Sequence, residues 1–132
     1  MNDLAIEAKL ENMDAVLDFI NERIEDCPPK IKNQIGIAVD EIFSNIARYA
    51  YNPETGGVVI RVAVEDEIII EFEDKGKPYN PLEKTDPETT AALEEREVGG
   101  LGIFMVKKIM DNVMYRYESG KNILSIKKQI VS

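Results

Sequence analysis

Leu4, Ile6, Ala8 and Leu10 alternate with polar residues, which predicts an opening strand with one buried face. The period then lengthens. Met13, Val16, Leu17, Ile20 and Ile24 recur at helical spacing and predict an amphipathic helix running to about Asp26. Pro28 and Pro29 break it and start the next helix, because a first turn does not need proline's missing N–H. That second helix turns Ile31, Ile35, Ala38, Val39, Ile42 and Ile46 inward, and Asn52-Pro53 and Gly56-Gly57 end it. Two β-rich runs, Val58 to Val64 and Ile68 to Phe72, flank the polar Glu65-Asp66-Glu67 and read as a hairpin. From Lys75 to Val98 proline, glycine, threonine and glutamate dominate, and a loop of that length is more often functional than idle. A third helix is predicted to begin near Gly100, and Val113 to Tyr117 with Ile123 to Lys127 form a closing hairpin. The order βααββ, loop, αββ predicts an α+β fold. It is a two-layer sandwich in which helices cover one face of a mixed, mostly antiparallel sheet.

Composition narrows the function. At 132 residues the chain is read as a single domain, 1–132, without repeats or linkers. Its formal charge of −9, with no basic patch, argues against direct nucleic-acid binding. The same charge requires any nucleotide site to offset repulsion locally, through magnesium, backbone N–H groups or a few cations. No stretch has the length of a membrane span, and Met1-Asn2-Asp3 does not open a signal peptide. The single cysteine, Cys27, reads as structural filler beside the proline pair, and a cytoplasmic setting is expected. With no histidine in the chain, Ser-His-Asp hydrolysis, His-ligated zinc and autophosphorylation on histidine are excluded.

Three constellations carry candidate chemistry. Glu41 and Asn45 are four residues apart on the second helix and so share a face. A carboxamide oxygen there suits magnesium, and a carboxylate can take a proton from an attacking hydroxyl; a solvated helix face has the same pattern. Asp74-Lys75-Gly76 follows a strand, where an aspartate can accept a hydrogen bond from an adenine amino group and glycine admits a flat base; a plain β-turn uses the same residues. Gly99-Gly100-Leu101-Gly102 opens an apolar helix, and bare N–H groups at a helix start form an anion site.

The order of these three motifs resembles the GHKL ATP-binding superfamily, and more closely its bacterial anti-sigma-factor serine/threonine kinases. The resemblance is carried by Ala38-Val39-Asp40-Glu41-Ile42-Phe43-Ser44-Asn45, by Asp74-Lys75-Gly76-Lys77-Pro78-Tyr79-Asn80-Pro81, and by Gly99 to Asp111. Pro78, where the wider superfamily often has another glycine, points to the anti-sigma branch. The resemblance implies a GHKL-type sandwich with an ATP lid over about 79–98. It implies ATP and Mg2+ as ligands, Glu41 as general base and Asn45 as magnesium ligand. It places Tyr49, Asp74, Gly76, Pro78, Gly99, Gly100, Leu101 and Gly102 around the nucleotide. It further implies a homodimer that sequesters a sigma factor and phosphorylates a STAS-type anti-anti-sigma protein.

Tyr49 stands where the family commonly has histidine, and it cannot carry positive charge near neutral pH. Arg48 beside it could supply that charge, and Arg96, near the end of the lid, could reach a γ-phosphate. The departure leaves open an ATP-binding partner switch without significant kinase activity, in which ATP only orders the lid. The catalytic domain of a sensor histidine kinase would need an upstream helix carrying a histidine. Ser125 in the last strand is a further candidate nucleotide contact, while Phe104, Met105 and Met110 are expected in the core and Lys107-Lys108 on an exposed edge.

Overall fold

Runs of β-branched residues at period two build the sheet. The computed structural model describes residues 2–52, 54–83 and 98–130. Strands β1 (Asn2–Glu7), β2 (Gly57–Val64), β3 (Glu67–Asp74), β4 (Asn112–Glu118) and β5 (Lys121–Gln129) form a five-stranded sheet in the order β1-β2-β3-β5-β4. All four pairings are antiparallel. The β4–β5 turn is made by Ser119 and Gly120, both at positive φ, the backbone that a two-residue hairpin requires.

Helices α1 (Met13–Arg23), α2 (Pro29–Asn45) and α3 (Val98–Ile109) complete the fold. Ile20, Ile35, Val39, Ile42 and Val106 from the helices meet Ile60, Ile70, Phe72 and Ile126 from the sheet in one buried core. Cys27 and Met110 are buried with them, as expected; Met105, by contrast, is 47% exposed, since it lies off the inward stripe that carries Ile103, Val106 and Met110. Lys107 and Lys108 are exposed. At the far end of α3, Lys128 Nζ donates to the Ile109 carbonyl (2.8 Å), a cation at the negative end of the helix dipole.

Three boundaries differ from the sequence reading. The opening strand stops at Glu7: Ala8 N–H adds one more in-register bond to the Gly56 carbonyl, and then Lys9 N–H turns back to the Glu7 carbonyl (2.9 Å), to which Asn12 Nδ2 also donates (2.9 Å). Leu10 then falls in a 3-10 turn (Leu10–Asn12) and is exposed. Helix α1 ends at Arg23, and α3 starts at Val98, two residues before the expected Gly100.

The face of the sheet opposite the helices carries an ion cluster. Arg61 bridges Glu73 (2.8 Å), Glu71 (3.7 Å) and Asp3 (3.9 Å), and Lys121 reaches Glu73 (3.6 Å). Burial works against ionising Glu73, yet the Arg61 hydrogen bond and charge, helped by Lys121, hold its carboxyl below the usual range. Ser125 belongs to this face: its hydroxyl lies 3.4 Å from Glu71 Oε2. Strand alternation therefore turns it away from Leu124 and the helices, and the expected nucleotide contact is not made by this residue.

Candidate functional site

Helix α2 does not stop cleanly. Past Asn45 it widens into a π-turn over Ile46–Ala50, an irregularity that often marks a functional site. The widened turn ends beside β3. Ala50 carbonyl accepts the Lys77 N–H (3.0 Å), and a Cβ on Gly76 would lie 2.2 Å from that carbonyl oxygen. Glycine is required at 76 by the backbone of α2's extension, a reason within the fold itself and separate from room for a base. Tyr51 adds a second tie. Its hydroxyl donates to the Gly57 carbonyl (2.6 Å) and accepts the Lys75 N–H (2.7 Å).

Between α2, the sheet and α3 lies a cavity of about 350 Å³, a size suited to a small ligand. Its walls are apolar, with Ile42, Phe72, Ile103 and Leu124 among them, and Asp74 and Asn122 supply polar groups. Asn45, Tyr49, Pro78 and Tyr79 also line it, so the structure gathers residues from two of the three sequence motifs at one site. Tyr49 is 47% exposed there.

Asp74 is buried, and its Oδ1 accepts the Gly76 N–H (2.8 Å) and Asn122 Nδ2 (3.0 Å). Burial pushes its carboxyl above the usual range, and those two hydrogen bonds pull part of the way back. Asn122 was not singled out in the sequence, where it sits at the end of a turn-like Glu118-Ser119-Gly120-Lys121-Asn122. The signal was only its strand register, which sets it opposite Asp74.

The third motif packs against α2. Gly99, Gly100 and Leu101 lie in the first turn of α3, where backbone N–H groups have no acceptor within the helix. Gly102 is a helical turn in, and its place is decided by Glu41: a Cβ there would lie 1.9 Å from the Glu41 carboxyl carbon. The carboxylate therefore rests directly on the α3 backbone. Glu41 Oε2 and Asn45 Oδ1 are both buried with no hydrogen-bond partner. Burial pushes the Glu41 carboxyl up, against the pull of the Arg48 charge. Arg48 is thus close enough to act electrostatically on Glu41. Arg96 and positions 84–97 of the expected lid lie outside the described residues, and Val98 belongs to α3.

A family model for the histidine kinase-like ATPase domain matches residues 6–128. The chain belongs to that family. Among relatives of known name, it is 30% identical over 130 residues to the serine-protein kinase RsbW of Bacillus pumilus, covering 92% of this chain and 75% of the relative. It is 26% identical over 130 residues to the anti-sigma F factor of Clostridium acetobutylicum, covering 96% and 91%. Among solved structures, the RsbU and RsbW domains of Rv1364c from Mycobacterium tuberculosis share the fold, with a TM-score of 0.66 at 14% identity. That match covers 98% of this chain and 33% of the other. The sandwich inferred from periodicity is therefore the fold of this ATPase family. Among the described residues no helix is long and apolar enough to cross a membrane.

Proposed function

We propose that this histidine kinase-like ATPase domain is an anti-sigma factor with ATP-dependent serine/threonine kinase activity. It binds ATP in the α2–sheet–α3 cavity, phosphorylates a STAS-type anti-anti-sigma protein and, as a cytoplasmic homodimer, sequesters a sigma factor. The observation that carries the reading is the pair of buried, partnerless oxygens on Glu41 and Asn45, one helical turn apart on α2, with Asn45 lining the cavity that Asp74 serves. Such atoms cost about 1–3 kcal/mol each when left unmet, and a ligand repays that. The names of the relatives, a serine-protein kinase and an anti-sigma factor, support the choice of reaction and partners.

In this reading the whole stretch 1–132 acts as one nucleotide-binding unit, with a lid over about 79–98. Asp74 Oδ2 accepts the adenine amino group while its Oδ1 stays bonded to Gly76 and Asn122. Pro78 lines the wall beside the base, Gly76 lets that segment close against Ala50, and Tyr49 stands at the cavity's exposed edge. The first-turn N–H groups at Gly99, Gly100 and Leu101 hold phosphate oxygens. Gly102 is a structural seat for Glu41, whose Oε2 takes the proton from the partner's hydroxyl. Asn45 Oδ1 fits a hard cation that prefers oxygen. Magnesium supplies charge neutralisation on the phosphates when bound.

The test is transfer of labelled γ-phosphate from ATP to a purified anti-anti-sigma STAS protein. Transfer by the wild type, lost in Glu41→Gln with ATP binding kept, supports the kinase. ATP-dependent partner binding without transfer would leave the partner switch that Tyr49 in place of histidine allows. No ATP binding would end both readings.

A further inference from the structure

The side chain of Asn122 is almost fully buried and used at both ends. Its Nδ2 donates to Asp74 Oδ1 (3.0 Å), to the Lys77 carbonyl (2.9 Å) and, more weakly, to the Gly76 carbonyl (3.4 Å). Its Oδ1 accepts the Tyr79 N–H (3.1 Å) and the Tyr115 hydroxyl. The surroundings fix the amide's orientation, since carbonyls and a carboxylate face one end and an N–H and an O–H face the other. Neither aspartate nor leucine could satisfy both sets.

We infer that Asn122 is a positioning residue that sets the base specificity of the site: it pins Asp74 Oδ1 and the 76–79 wall so that Asp74 Oδ2 alone faces the ligand. The inference rests on the reading of the cavity as an adenine site. It adds a residue from β5, 48 positions from Asp74, that none of the three motifs contains. Without the amide, Asp74 keeps only the Gly76 N–H as anchor and its carboxylate can rotate. The segment Lys77–Tyr79 loses its two hydrogen bonds to β5, at the Lys77 carbonyl and the Tyr79 N–H, at the same time.

Affinity for two nucleotides separates positioning from general support. ATP and purine riboside triphosphate differ by the 6-amino group that Asp74 would accept. The wild type should prefer ATP by about tenfold or more, the worth of one hydrogen bond to a charged group. Asn122→Ala should bind ATP about tenfold more weakly while purine riboside triphosphate changes far less, so that the preference disappears. Tyr115→Phe removes one donor to Oδ1 and leaves the sheet intact; it should narrow the preference in the same direction, and it serves if Asn122→Ala does not fold. Equal losses for both nucleotides, or an unchanged preference in both variants, would overturn the inference while leaving the ATP site standing. A wild type that binds neither nucleotide overturns the site and the inference together.

Discussion

The Glu41 carboxylate lies where a side chain on Gly102 would have to go: a Cβ at 102 would stand 1.9 Å from its carboxyl carbon and 2.2 Å from Oε1. Gly102→Ala should therefore displace Glu41. Helix propensity favours alanine by about 1 kcal/mol, so any loss of stability reports the collision. Phosphate transfer should fall by roughly 10²–10⁴-fold, as for loss of a general base, with ATP affinity kept within a few fold. Calorimetric titration and a transfer assay on the one variant check both halves.

Glu41→Gln should stabilise the unliganded protein while abolishing transfer. Burial holds the Glu41 carboxyl above its ordinary value, so folding favours its protonated form. Wild-type stability therefore falls as pH rises from the ordinary carboxylate range through the raised value. The variant should melt higher at pH 7, by about 4 °C per kcal/mol gained, and the gain should vanish in acid below both values. Thermal melts from pH 4 to 8 read this directly.

Asp74→Asn keeps the internal bonds if the amide oxygen takes the place of Oδ1 beside Gly76 and Asn122. Its NH2 then faces the cavity, where the adenine amino group needs an acceptor. ATP affinity should drop by about tenfold to a hundredfold, with near-native melting. Binding of ATP at wild-type strength would remove Asp74 from the site.

Arg61→Met tests the ion cluster on the opposite face. The Arg61 partner lowers Glu73's pKa, so its contribution is present at neutral pH and lost as pH falls below the usual glutamate value of 4.5 and through the lowered one. The variant should be less stable by about 1–2 kcal/mol at pH 7, and the difference should shrink as pH falls below 4.5. ATP affinity should be unchanged, because the cluster and the cavity lie on opposite faces of the sheet.

The elements were legible because each buries one face, and burial imposes its period on Ile, Val and Leu. Ile60, Val62 and Val64 stand opposite Phe72, Ile70 and Ile68, and the hairpin follows once two turn segments bracket the runs. Glu41 and Asn45 could be found because a helix face is a local property. Asn122 could not, because its meaning comes from a register across strands distant in sequence. Gly102 was read as presenting an N–H to phosphate, and the structure adds a tertiary reason for glycine there, contact with a side chain on another helix. Alternation misled at Leu10, where the chain curls before the pattern ends. Ser125 was placed in the right strand, and its side chain lies on the face away from the helices.

The tie between the Ala50 carbonyl and the Gly76-Lys77 backbone joins the end of the α2 extension to the end of β3. The floor of the cavity and one wall are thereby a single stiff frame whose width is set before any nucleotide arrives. In the proposed reading such a site would act as a gauge, accepting or refusing a base by shape. Differences between ATP- and ADP-bound states would then arise at the α3 end, where the γ-phosphate would lie and where a partner protein would read it.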